Sequence, residues 1–322
     1  MKSGAFCRSA SFSFWRKRCP SALAVSETVQ AIRKHDGEAP SKFANAVLRK
    51  VADARENWQN WKVTESSPFD EQVAWCSLPE WLFKKLRKER GSAWVFAFSE
   101  SVLTRPQVWY RTPRETLLLN DGYRGDETPG FVQDISNQKL VESVVEILKA
   151  SPLKAPRILD LCSAPGGKSL GLAYSGFQVT ATDIDQERLM KVRENVNRLG
   201  LQEKITIREY SEVFDSADQY DWIWLDAPCT STGIIRRHPE IKWNRTHHDV
   251  ERMVLAQGAL LQWAHAHLAP GGRIVYSTCS LLKAENEPVE EGLVPVKKWE
   301  WLPQDEPKGD GISSLVLVSS KS

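Results

Sequence analysis

The sequence predicts an α/β protein with a mostly parallel sheet and an antiparallel last strand, behind a smaller N-terminal region of helical and mixed character. Three observations predict it. From about residue 130, short apolar runs alternate with segments of helical periodicity. The residues able to do chemistry fall just after those apolar runs, at the strand ends where an open parallel sheet binds ligands. The first 130 residues do not keep this alternation.

The elements follow in order. Residues 22–35 and 41–56 read as helices, the second with Phe43, Val47, Leu48 and Val51 on one face, and GEAP (37–40) separates them. Residues 57–130 are mixed. WLFKKLRKER (81–90) reads as a helix with five bases, VWYRT (108–112) as a strand and NDGYRGDETPG (120–130) as a loop. Beyond it come a helix at 137–151, a buried strand RILDL (157–161), the turn CSAPGGKS and a second strand FQVTATD (177–183). A helix at 186–200 carries Leu189, Val192, Val196 and Leu199 in phase and closes on Gly200. KITIRE (204–209) and YDWIWLD (220–226) are the next strands, followed by a long helix at 248–268. PGG (270–272) reads as a turn, RIVYST (273–278) as the fifth strand and ISSLVLVS (312–319) as the antiparallel one. The expected divisions are 1–56, 57–130 and 131–322.

Composition excludes several classes. No stretch reaches about 18 uncharged apolar residues, so no transmembrane helix is predicted. Six cysteines are scattered and form no CxxC pair, which argues against a structural zinc site and for reduced thiols in the cytoplasm. The opening MKSGAFCRSASFSFWRKRC is acid-free and resembles a transit peptide, but a cytosolic N-terminus is the preferred reading. The net charge of +2 hides an asymmetry: residues 1–50 hold ten Lys or Arg against three Asp or Glu. Basic patches on a near-neutral chain suggest an anionic partner such as nucleic acid, or a solvated helix face.

Two groups of residues carry the chemistry. In LDLCSAPGGKSL, small residues follow a strand and open a helix, which lets backbone N–H groups approach a ligand. The pattern is neither GxxxxGK[ST] nor GxGxxG. Asp183 ends the next strand, where an acid suits the hydroxyls of a ribose, so turn and acid together suggest a nucleoside-containing cofactor. The second group is DAPC (226–229) and TCS (278–280). Cys229 and Cys279 both follow strands and should reach one cleft edge, beside Asp226. From the residues alone, either is a nucleophile or a structural cysteine. As zinc ligands with His238 they lack a fourth partner.

LCSAPGGK, LDAPCTSTGIIRRHPEIKW and YSTCSLLKAENE resemble the signature blocks of the RNA (cytosine-5) methyltransferase family. GFVQD (130–134) is similar to that family's entry block, and SLPEWLFKKL with VWYRT to its RNA-binding segment. LAVSETVQAIRK and KFANAVLRKV resemble the end of a NusB-like helical domain, here shortened, the combination of the bacterial 16S ribosomal RNA branch called RsmB or Sun.

The resemblance implies a Rossmann-like fold and S-adenosylmethionine as cofactor. It implies Cys162, Ser163, Ala164, Pro165, Gly166, Gly167, Lys168, Asp183 and Asp226 as its binding residues. It makes Cys279 the nucleophile toward cytosine C6, Cys229 the residue of product release and Asp226 the group that polarises the base. Arg236, Arg237, His238 and Lys242 are expected to meet phosphate. Where the family has an acid after the third strand, this chain reads IREYSEV (207–213), so Glu209 or Glu212 is expected to stand in. Ribosomal RNA is the expected partner, with no metal, no membrane and a monomeric chain. Transfer RNA as substrate, a DNA cytosine-5 methyltransferase and a non-catalytic RNA-binding assembly factor are the alternatives.

Overall fold

The computed structural model describes residues 21–54, 62–113, 116–119 and 130–320. The expected loop at 120–130 lies outside them except for Gly130. The chain forms two compact units, residues 1–68 and 69–322.

In the first unit, α1 (Ser21–Asp36) and α2 (Glu38–Asp53) form a helical hairpin. Only Gly37 lies between them, at φ 93°, a conformation that glycine adopts without strain. Glu38, Ala39 and Pro40 of the expected linker instead form the first turn of α2, where proline's missing N–H costs nothing. The buried face also differs from the predicted one. Leu48 packs with Ala24 and Val25, and Ala44 is buried, whereas Phe43 is 73% exposed.

The second unit begins with α3 (Phe69–Cys76), α4 (Glu80–Arg90) and α5 (Ser92–Val102). Leu82, Phe83, Leu86, Val95 and Phe98 from these helices form one apolar cluster with Ile235, Ile241, Leu281 and Leu282. A three-stranded antiparallel sheet follows, of β1 (Val108–Arg111), β2 (Thr116–Leu119) and β3 (Phe131–Val132) in the order β2-β1-β3.

The remaining elements are α6 (Ile135–Ala150), β4 (Ile158–Asp160), α7 (Gly167–Tyr174), β5 (Val179–Ala181), α8 (Gln186–Arg198), β6 (Ile205–Ile207), α9 (Tyr210–Phe214) and β7 (Tyr220–Asp226). After these come α10 (Ile241–Asn244), α11 (His247–Ala266), β8 (Leu268–Thr278), α12 (Lys283–Asn286), β9 (Leu293–Trp301) and β10 (Ile312–Ser319). β4 to β10 make one seven-stranded sheet in the order β6-β5-β4-β7-β8-β10-β9. The first five strands in that order run parallel, and β10 is antiparallel to both β8 and β9. Strand order reverses between β4 and β7, which makes that crevice the ligand-binding point of a Rossmann-like sheet.

The period of two sorts the core. Ile158, Trp222, Trp224 and Val275 face α6 through Leu140, Val141, Val144 and Leu148. Leu159, Ile223, Leu225 and Ile274 face α11 through Leu261 and Ala264. One expectation needs correction. The PGG segment does not interrupt the fifth strand: β8 starts at Leu268, paired with Tyr220, and absorbs the glycines in a register shift. The segment before the last strand is itself a strand, β9, whose mostly exposed residues carry no burial signal.

Candidate active site

The catalytic candidates sit on four loops at the carboxyl edge of the sheet, after β4, β5, β7 and β8. The turn after β4 is built largely from main chain. Ser163 N–H donates to Thr182 O (2.9 Å) and Gly166 N–H to Ser163 O (2.6 Å), with Gly166 at φ 104°. Asp183 fixes the turn from the next strand: Oδ2 accepts from Ala164 N–H (3.1 Å) and Oδ1 from Asp185 N–H (3.0 Å). A Cβ on Gly167 would lie 2.9 Å from Gln133 Nε2, so the turn and Gln133 enclose a narrow cradle.

Beneath the cradle lie two buried polar atoms with no hydrogen bond, Asp160 Oδ1 and Thr182 Oγ1. Asp160 Oδ2 accepts from Ser169 (2.6 Å), and burial pushes the carboxyl up to about 6. Burial and the carboxylates of Asp183, Asp226 and Asp160 push the Cys162 thiol well above its ordinary value. That environment disfavours a thiolate at Cys162.

Lys168 reaches across the crevice. Its Nζ donates to Asp226 Oδ2 (2.6 Å) and Asn137 Oδ1 (2.9 Å), with the lysine side chain 10% exposed and the aspartate 34%. Asp226 Oδ1 accepts from Ser277 Oγ (2.8 Å), and that hydroxyl accepts from Trp224 Nε1 (3.1 Å). A relay of core indole, hydroxyl and carboxylate thus aims Asp226 from below.

The two cysteines meet. Cys229 Sγ and Cys279 Sγ are 3.3 Å apart. The Cys279 thiol is held below its ordinary value, first by the hydrogen bond from Cys229 and further by Ser231 and Lys168. Cys229 is held well above its ordinary value by the same bond, by burial and by the charges of Cys279 and Glu285. Of the two thiols, Cys279 is therefore the one whose surroundings favour the ionised form. Ser231, between the loops, has φ 61°, a strained value for a residue with a Cβ. Gly233 N–H donates to Cys279 O (2.8 Å), and a Cβ there would lie 2.7 Å from that oxygen and 2.4 Å from Gly311 O.

The basic loop is placed otherwise than the sequence suggests. Arg236 is 6% exposed and donates to Gly309 O (3.1 Å) and Pro303 O. Arg237 bridges Asp134 (2.6 Å) and Asp310 (2.8 Å). Lys242 is 6% exposed, and burial pulls it down to about 8. Only His238 of the four faces solvent, beside Glu240. The physical reason is that distant carboxylates, carbonyls and apolar packing claim the other three before any phosphate can. Glu209 and Glu212 are also engaged: Glu212 accepts from Glu209 N–H (3.1 Å) in a capping box, and Glu209 accepts from Gln186. Sequence reading missed Asn137, Ser277 and Ser231. Ser277 lies in the same strand-end run as Cys279, but nothing in NQKL marks Asn137.

A parallel sheet with an antiparallel β10, a glycine cradle after its first strand and an acid at the end of the fourth define a Rossmann-like protein with its site at the strand ends, a fold shared with solved structures. A family model described as 16S rRNA methyltransferase RsmB/F matches residues 147–314, and the NusB family model matches residues 7–53. The chain belongs to the RsmB/F family of 16S rRNA methyltransferases.

Ribosomal RNA small subunit methyltransferase B of Shewanella oneidensis is 33% identical, aligned over 85% of this chain and 69% of its own. The protein of that name from Citrobacter koseri is 33% identical over 84% and 68%. Among solved structures, NSun6 from Pyrococcus horikoshii, determined with SFG, has TM-score 0.54 and 26% identity, covering 64% of this chain and 57% of its own. A methyltransferase homolog protein from the same organism has TM-score 0.62 and 20% identity, covering 77% and 97%.

Proposed function

We propose that this protein transfers a methyl group from S-adenosylmethionine to C5 of a cytosine in RNA, with 16S ribosomal RNA as the substrate. One observation carries the chemistry: two thiols 3.3 Å apart, with Cys279 the one held below its ordinary value, beside an aspartate held by a lysine. The relatives' names support ribosomal RNA over transfer RNA. The intact pair argues against a purely structural assembly factor, and the low thiol at Cys279 rather than Cys229 argues against the DNA-type assignment.

The cofactor fits the β4 turn. The cradle of Gly166 and Gly167 excludes side chains, and unpartnered Asp160 Oδ1 and Thr182 Oγ1 lie below it. Cys162 to Lys168 would enclose the cofactor's methionine end, Asp183 its ribose and Asp226 the transfer site. The SFG complex of NSun6, an analogue of S-adenosylmethionine, supports this choice. When bound, S-adenosylmethionine supplies an electrophilic methyl group.

The protein's own residues do the rest. The Cys279 thiolate adds to C6 of the cytosine, which makes C5 nucleophilic. Asp226 receives a hydrogen bond from the ring's N4 side or holds the proton at N3, and stabilises charge as it develops. The C5 proton then passes to a base, with Cys229 assisting, and the C6–S bond breaks so that Cys279 leaves as its thiolate. Both faces of the base must be reached, which favours an unstacked nucleotide in single-stranded or looped RNA.

The RNA surface we assign is α4 rather than the 236–242 loop. Arg90 anchors α4 beside the site through Leu281 O, two residues beyond Cys279, and through Glu300, while Arg87 and Lys88 on the same helix are exposed and supply the cations. Such cations meet phosphate without reading sequence. We assign the protein to the cytoplasm; no described helix is long and apolar enough to cross a membrane.

Paired variants test the reading. Cys279→Ala is expected to abolish both methyl transfer and covalent adduct, and Cys229→Ala to accumulate a protein–RNA adduct on denaturing gels. Methyl transfer to cytosine by Cys279→Ala would sink the assignment.

A further inference from the structure

We propose that Glu285, with Asn286 beside it, is the positioning residue that locks the two cysteine loops in register for the transfer proposed above, on which this inference rests. Glu285 is fully buried at the sheet's carboxyl edge, and four protein donors converge on its two oxygens. Oε1 accepts from Thr230 N–H (2.7 Å) and, at 3.5 Å, from Gln257 Nε2. Oε2 accepts from Thr230 Oγ1 and Ser280 Oγ, both at 2.5 Å.

Thr230 directly follows Cys229, and Ser280 directly follows Cys279. One carboxylate therefore grips the residue after each thiol. Asn286 completes the clamp by bracketing Cys279. Its Oδ1 accepts from Thr278 Oγ1 (2.5 Å), and its Nδ2 donates to Ser280 O (2.9 Å). Gln257 ties the same point to α11, since its Nε2 also donates to Pro228 O (2.8 Å). Tyr276 holds the clamp from the strand by donating to Glu285 O (2.7 Å).

Loop closure alone does not call for a carboxyl group here. A buried carboxylate is costly to desolvate, and the donors that turn onto it offset that cost. What an acid adds is convergence: it is acceptor-only, so donors from two loops must both turn toward it. A thiol pair that shares one proton needs that fixed separation, because the bond between the sulfurs depends steeply on distance and angle. Glu285 touches neither substrate nor cofactor; it acts through the loops.

The test uses the full chain with Glu285→Ala and Glu285→Gln. Two readouts are taken: kcat and KM for methyl transfer to RNA, and the pH profile of Cys279 alkylation by iodoacetamide, followed by peptide mass spectrometry without RNA. Glu285→Ala is expected to lower kcat about 100-fold, the scale of an ångström-size misplacement, with the KM for S-adenosylmethionine changed less than about threefold. Its alkylation midpoint moves up, because Cys229 no longer donates in register. Glu285→Gln keeps the shape and the Thr230 N–H contact, and is expected to recover about a tenth or more of the lost rate.

Wild-type kcat together with a wild-type alkylation profile in folded Glu285→Ala overturns the proposal, as does a change confined to Tm. If Glu285→Ala does not fold, the double variant Thr230→Val, Ser280→Ala removes both hydroxyl grips on Oε2 and is read in the same way. Failure of the methyltransferase reading shows separately, as cytosine methylation by Cys279→Ala, while the alkylation profile still reports on Glu285.

Discussion

The two halves of the sheet's carboxyl edge hold their residues by different means. On the β4–β5 side the turn is held by main-chain bonds and by Asp183, between residues within about one strand–helix unit of one another. On the β7–β8 side the contacts run between side chains 50 to 58 residues apart: Cys229 with Cys279, Ser277 with Asp226, Lys168 with Asp226. The difference follows from what each half handles. A cradle needs backbone donors and room, which a short run with glycines supplies. A reactive thiol needs charges and donors fixed around it, and no short run can bring enough of them together.

The comparison can be broken where one residue serves both halves. Lys168 starts on the β4 turn, the proposed cofactor site, and ends on Asp226, with its charge acting on Cys279. Lys168→Met is expected to lower kcat by about 100- to 1,000-fold, the scale of losing one preorganised donor, and to raise the pH at which Cys279 alkylates. Steady-state kinetics and alkylation profiles read the two effects; an unchanged alkylation profile would assign Lys168 to the cofactor side alone.

The comparison is sharpened by adding one methyl to each half. Gly233→Ala pushes a Cβ against two carbonyl oxygens of the base-handling half. It is expected to cost about 1–3 kcal/mol of stability, as overpacking does, and to lower kcat more than it raises KM. Gly167→Ala meets only the end of the Gln133 side chain, which can swing away. Its expected effect is a several-fold rise in the KM for S-adenosylmethionine with Tm nearly unchanged. Denaturant melts and initial rates separate them.

The smallest expected effect concerns Asp160 under the cradle. Its folded carboxyl titrates near 6 against an ordinary 3.8, so the fold favours the neutral form. Its contribution to stability is full below about pH 4 and is lost as pH rises through 6. A shift of about two units corresponds to at most about 3 kcal/mol. Asp160→Asn should gain stability relative to wild type as pH rises from 4 to 6 and hold that gain above 6, measured as the difference in Tm. Asp310, also pushed up to about 6 by burial, keeps its own share of the slope in both proteins. A pH-independent difference in Tm would remove Asp160 from this role.

The sequence made the sheet legible because each strand carries its own record: RILDL, FQVTATD and YDWIWLD are apolar enough to be buried on both faces. β9 left no such record, since LVPVKKWEW is an edge strand exposed along most of its length. The reach of β8 back to Leu268 depends on pairing with Tyr220, 48 positions earlier. In the site, DAPC and TCS were readable as strand-end residues, and their shared cleft followed from topology. The fate of Arg237 was not, because Asp134 and Asp310 lie 103 and 73 residues away. Glu285 stood within a quoted motif, yet its role lies in the four donors that fold in around it.

Gly233 gives the assembly a schedule. Its N–H bonds Cys279 O, and its own carbonyl accepts from Gly311 N–H at 2.9 Å, so three segments spread over 78 positions close on one residue. β10, which begins one residue later, inserts between β8 and β9. On a ribosome, a nascent chain that had exposed both thiols would still lack this closure until residue 311 emerged. This closure can therefore form only after the bonds of the cradle turn, whose partners lie within residues 160–185, have been synthesised.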